Sequence, residues 1–126
     1  GTDVTTNVQG FTLAVTGTRS QSNAAAKMQF SGASNGVLFT TGTVEYNGAA
    51  QNITGDGALK YATLLLSGSG TKSVLTGAAN TVHTSANLTV SSGITLDVAS
   101  AGFLNVDLDL TNNGSITNAG TITVGP

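Results

Sequence analysis

The side chains with chemistry to offer are few. His83 is the one histidine, in NTVHTS (80–85). Catalysis by it needs a nucleophile or a carboxylate within hydrogen-bond reach. A metal role needs further ligands. Nothing nearby in sequence supplies either, and alternation with Val82 points the ring outward, so the plain reading is a surface histidine. Asp107 and Asp109, at i and i+2, are expected to share one strand face. Paired carboxylates serve glycoside hydrolysis or calcium binding. The plainer reading is a solvated outer face whose like charges discourage stray strand pairing. Calcium would need more oxygens from a neighbouring coil, with Asn87 or Thr89 in place to give them.

The remaining motifs are weaker. TGDG (54–57) resembles half of a calcium-binding turn but lacks the nonapeptide repetition that makes such turns specific, and reads as a tight turn. GSG (68–70) lacks the strand–helix context and lysine of a phosphate loop. Asn52, Asn87 and Asn113 begin glycan-acceptor triplets. Tyr46, Tyr61, Phe39 and Phe103 are large rings that would form a carbohydrate platform if exposed in a row. Tyr46 is expected to face inward with Val44. These residues assign no catalytic group, cofactor or metal, and the chain does not read as an enzyme. A β-helical polysaccharide lyase or hydrolase would cluster acids with Arg or Lys in a groove, whereas Arg19, Lys27, Lys60 and Lys72 are dispersed.

Composition narrows the classes further. At 126 residues the chain reads as a single β domain. Charged residues are 8%, against roughly 25% in ordinary soluble domains. Thr, Ser, Asn and Gln must therefore solvate the surface. A net charge of −2 gives little attraction to nucleic acid or anionic lipid. Cysteine is absent, which removes disulfides, thiolate nucleophiles and cysteine metal sites together. No run approaches the roughly 18 apolar residues that mark a membrane-spanning helix, and no signal peptide is visible. Membrane insertion is not expected.

Short strands must position whatever chemistry exists. Phe11, Leu13 and Val15 alternate with polar or small residues, as do Val44 and Tyr46, Ile94 to Val98, Leu104 to Leu110, and Ile122 with Val124. Each reads as a strand with one buried and one wet face. Gly, Asn and Ser punctuate them. Only SNAAAK (22–27) has helical composition, enough for one turn at most.

The pattern repeats. NLTVSSGITLDV (87–98) aligns with DLDLTNNGSITN (107–118) at an offset of 20, and ATLLLSGSGTKSVLT (62–76) with ANLTVSSGITLDVAS (86–100) at 24. The tail compresses it into NNGSITNAGTITV. Residues 41–126 are thus expected to form repeat coils, and residues 1–40 an atypical capping or joining segment. Read alone, YATLLLSGSGTKSVLTG (61–77) is a hairpin, and an antiparallel β-sandwich or jelly roll with donor-strand complementation is the alternative fold. Near-constant offsets, aliphatic inward residues and small polar outward residues favour a parallel β-solenoid. Ser67–Gly70 then becomes a corner.

GTVEYNGAAQNITG (42–55), YATLLLSGSGTKSVLTG (61–77), ANLTVSSGITLDV (86–98) and DLTNNGSITNAGTITV (109–124) resemble the right-handed parallel β-helix regions of secreted bacterial adhesins and autotransporter-like proteins. The resemblance covers about residues 40–126. It implies a right-handed parallel β-helix, extracellular display and a stalk-like or adhesive role, and it carries no catalytic residues. The expected function is a structural subunit of an extracellular bacterial filament or surface assembly. Its partners would be copies of itself, joined through the solenoid ends or by addition of GFTLAVTG (10–17) to a neighbour's sheet. Phe11, Leu13, Val15, Ile122 and Val124 are the expected interface residues. The alternative is an adhesin stalk or module of a larger secreted protein that binds surface glycans.

Overall fold

The computed structural model describes residues 4–7, 12–14, 18–21, 28–31, 36–38, 42–55 and 59–125. The chain is a β-solenoid of about four turns, with its strands stacked in parallel. Sheet one stacks β3 (Thr18–Gln21), β6 (Thr43–Tyr46), β9 (Thr63–Leu66), β12 (Leu88–Val90) and β15 (Leu110–Asn112). Sheet two stacks β7 (Gln51–Asn52), β10 (Thr71–Val74), β13 (Thr95–Val98) and β16 (Ser115–Asn118). Sheet three stacks β2 (Thr12–Ala14), β5 (Gly36–Leu38) and β8 (Leu59–Lys60). A parallel bridge from Tyr61 to Thr84 carries it on into β11 (Val82–Thr84), β14 (Phe103–Val106) and β17 (Thr121–Val124). One turn runs β6–β7–β8, and three more follow in the same order. Towards the N-terminus, β1 (Val4–Asn7) pairs in parallel with β4 (Met28–Ser31).

The stretch 61–77 is a corner. Leu64 stands beside Val44 and Leu88, and Leu66 beside Tyr46 and Val90, all in sheet one. Val74 lies in sheet two beside Val98. The turn between them follows the coil below: Ser67 N–H donates to the Tyr46 carbonyl at 3.0 Å and Ser69 N–H to that of Gly48 at 3.1 Å. Gly68 has a φ of +77°, and a Cβ there would collide with the Asn47 and Gly48 carbonyls. Both conditions select glycine.

The core is made of rows, one residue per coil. Val44, Leu64, Leu88 and Leu110 form one, and Val82, Leu104 and Ile122 another. Their members in the middle coils are fully buried. Burial of one such leucine contributes about 1.5–3 kcal/mol. Two large rings fit the core through a closed ring of hydrogen bonds. Thr54 N–H donates to Tyr46 Oη at 3.0 Å, and Tyr61 Oη donates to the Thr54 carbonyl at 2.6 Å. Tyr46 Oη and Tyr61 Oη are 3.0 Å apart. Because Tyr61 spends its proton on Thr54, Tyr46 must be the donor to Tyr61. Tyr46 thus faces inward beside Val44, as alternation indicates.

Two readings of the sequence need correction. Residues 104–110 are not one alternating strand: β14 ends at Val106, Leu108 is 53% exposed, and β15 begins at Leu110. Apolar alternation ran on through a corner. For the same reason the offset of 20 holds only for part of its span. Thr95 does stand beside Ser115, but Leu88 stands beside Leu110, an offset of 22.

The compressed tail has its own unit. Thr111–Ile116 and Thr117–Ile122 are two successive hexads, TNNGSI and TNAGTI. They fold alike: Asn112 Oδ1 accepts from Gly114 N–H at 3.1 Å, and Asn118 Oδ1 from Gly120 N–H at 3.0 Å. Such side-chain-to-backbone bonds two residues ahead favour turns over strands. SNAAAK (22–27), Phe11, Val15, Phe39 and Asp56-Gly57 lie outside the described residues.

Candidate functional site

The outer face of sheet three gathers the most varied chemistry among the described side chains. In β11, Val82 and Thr84 are buried, which turns His83 outward. In β14, buried Leu104 and Val106 turn Phe103 and Asn105 outward, and in β17 Thr121 and Thr123 are exposed. Stacking places His83 beside Asn105 and Asn105 beside Thr123, with Phe103 beside Thr121. Lys60, exposed, precedes the Tyr61–Thr84 bridge and so stands below His83.

His83 has the carboxylate partner that its sequence neighbourhood does not supply. Its Nε2 lies 2.8 Å from Asp107 Oδ1. Asp107 is 24 residues away in sequence and one coil away in space, at the corner that follows Asn105. The periodicity could have located it, since the coil repeat predicts which residues become neighbours. The two side chains are 21% and 46% exposed, so this is a surface pair of small energetic weight.

Asp107 and Asp109 do not share a strand face, because the corner separates them. Asn87 does stack there, as the calcium reading required, but its Oδ1 accepts the backbone N–H of Asp109 at 3.3 Å. Among the described residues no three His, Cys, Asp or Glu side chains come together as a metal cluster. Asn52, Asn87 and Asn113 are all exposed. Among the expected interface residues, Ile122 is half-buried against the core and Val124 is 48% exposed. Leu13 sits on β2 in register with Val37.

Sequence reasoning missed one residue altogether. Lys72 reads as one of four scattered cations, yet it is completely buried. Alternation with Val74 along β10 was the available signal, and it turns Lys72 inward. The ammonium is enclosed by oxygens: the Gly48 carbonyl at 2.7 Å, the Ala49 carbonyl, the Ser69 carbonyl at 3.1 Å and Gln51 Oε1 at 3.1 Å. Burial pulls its pKa down, while the surrounding oxygens favour the charged form. Gln51 Oε1 also accepts Gly48 N–H at 2.8 Å. The cage therefore ties the corner at 48–50 to the one at 68–70. It faces no open surface, which makes it architecture rather than a reaction centre.

Comparison of the chain with protein-family models, with curated proteins and with solved structures returns no match. Among the described residues no helix is long and apolar enough to cross a membrane.

Proposed function

We propose that the chain is a structural, non-catalytic subunit of an extracellular bacterial filament or surface assembly and that its main partner is another copy of itself. One observation carries this reading. β15, β16 and β17 end the described stack, and each is paired on one side only. An edge of parallel strands offers rows of backbone donors and acceptors, a template for further strands. Its inward positions include Leu110, Ile116 and Ile122, only partly buried, and exposed Val124. They continue rows that are fully buried one coil below. Docking of one end on another would not close, and so would propagate.

Extracellular display is supported by the cysteine-free, Thr- and Asn-rich composition and by the adhesin-like repeat strings. Electron microscopy of the purified chain tests the assembly reading. Fibres are expected, and a monodisperse monomer at high concentration would overturn it. Ile122→Asp abolishes fibres if the solenoid end is the joint, and Leu13→Asp does so if the β2 strand is donated to a neighbour.

A further inference from the structure

We propose that the outer face of sheet three around Asn105 binds a neutral polysaccharide, whether or not the chain polymerises. The argument starts from unused hydrogen-bonding capacity. The Asn105 amide and the Thr121 and Thr123 hydroxyls hold no hydrogen bond among the described residues. Among the described residues His83 uses only Nε2, on Asp107, which leaves Nδ1 and the second oxygen of Asp107 available. Donors and acceptors of both kinds are thus displayed on a rigid, hydrogen-bonded sheet.

The second element is Phe103. Tyr46 and Tyr61 are wholly buried, so Phe103 is the outward-facing aromatic ring among the described side chains. Ring and amide lie two residues apart on one strand, roughly 7 Å, and the flanking strands add about 4.8 Å on each side. A sugar ring has matching chemistry: C–H bonds on one face for the aromatic ring, and hydroxyls at the rim for the amide, imidazole and threonines. The aromatic body supplies contact area and the polar groups fix orientation.

Charge decides between neutral and ionic ligands. Lys60, His83 and Asp107 line one edge of the patch, and the single carboxylate is already bonded to the imidazole. Among the described residues of this face no cluster of cations is present to hold an anionic polymer, and no cluster of acids to hold a cationic one. An outer sheet face presents its side chains side by side across adjacent strands, which suits a chain laid across it.

Native gel electrophoresis through soluble mannan, dextran or galactan, with anionic alginate as control, tests the proposal. Retardation of the wild-type chain by at least one neutral polymer is expected, with loss in both Phe103→Ala and Asn105→Ala. Leu65→Ala, on the outer face of sheet one, should migrate like wild type. The Asn105 amide bonds to nothing among the described residues, so Asn105→Ala keeps the test decisive should Phe103→Ala fail to fold. Unretarded migration in all three neutral polymers, retardation by alginate alone, or retention unchanged in Asn105→Ala would each overturn the proposal. Fibres are pelleted beforehand and only the soluble fraction is run, so the readout does not depend on polymerisation.

Discussion

Thr84 occupies an inward position on β11, is fully buried, and its Oγ1 has no hydrogen-bond partner among the described residues. Its neighbours in the same row are Tyr61 below and Val106 above. A buried hydroxyl left unpaired costs about 1–3 kcal/mol of desolvation. Thr84→Val keeps the shape and removes the orphan, so it should raise stability by about 1 kcal/mol in urea unfolding. An unchanged or lowered midpoint would mean that the hydroxyl has a partner. The two tyrosines make the opposite case. Burial raises both pKa values above 10.0, and does so strongly for Tyr61. In the unfolded chain they titrate near the ordinary value, so the folded state holds its protons more tightly above pH 10. The tyrosine contribution to stability should be flat below pH 10 and be lost as pH rises towards the folded pKa values, while Lys72, with its pKa lowered by burial, acts in the opposite sense below the ordinary lysine value. Since the chain has just two tyrosines, near-ultraviolet phenolate absorbance should appear only together with loss of β circular dichroism. Phenolate signal from a still-folded chain would show that the Tyr46–Tyr61–Thr54 ring opens locally. Alternation made the inward turn of Tyr46 legible in the sequence. Its partners were not, because the closing contacts depend on where Thr54 lies in space.

At the scale of strands and corners, backbone geometry sets register as much as apolar pattern does. The corner at Ser67–Gly70 copies the one at 47–50 through amide-to-carbonyl bonds. Gly68→Ala must relieve a collision with the coil below and also accept a positive φ. It should cost more than about 1 kcal/mol, measured as a lowered melting temperature. Gly93 also has a positive φ, but nothing lies within 4 Å of where its Cβ would be. Gly93→Ala should therefore cost distinctly less, and equal losses at the two sites would refute the collision argument. The corners in the C-terminal half were legible as Gly- and Asn-rich punctuation. The one at 107–109 was not, because Leu108 continues the apolar alternation while pointing into solvent. A periodic pattern cannot announce its own interruption when the interrupting residue happens to match it.

At the scale of the whole molecule, the decision between sandwich and solenoid rested on offsets, and the stacked registers bear it out. The N-terminal strands stack in parallel as well: β3 lies beside β6, and β2 beside β5. Their sequences did not align with the later coils, since backbone pairing does not require like residues. Arg19 stands beside Val44 and Gln21 beside Tyr46. The offset was readable only where both backbone and side chains repeat. The site on sheet three was half legible. His83, Asp107, Phe103 and Lys60 were singled out, whereas Asn105, Thr121 and Thr123 were not, and the coil that joins His83 to Asp107 had to be built first.

The last coil bears on how such a chain can change in length. Phe103 stands beside Thr121, so the final turn advances 18 residues on that face. Thr111–Ile116 and Thr117–Ile122 each supply a six-residue side with its own asparagine-bonded corner. A duplication of three such sides adds one whole turn and returns every later residue to its former sheet. A duplication of one side instead rotates everything after it by one face, carrying inward residues to new rows but keeping them inward. In genetic terms, the tail tolerates length changes in sixes, and those in eighteens leave every surface where it was.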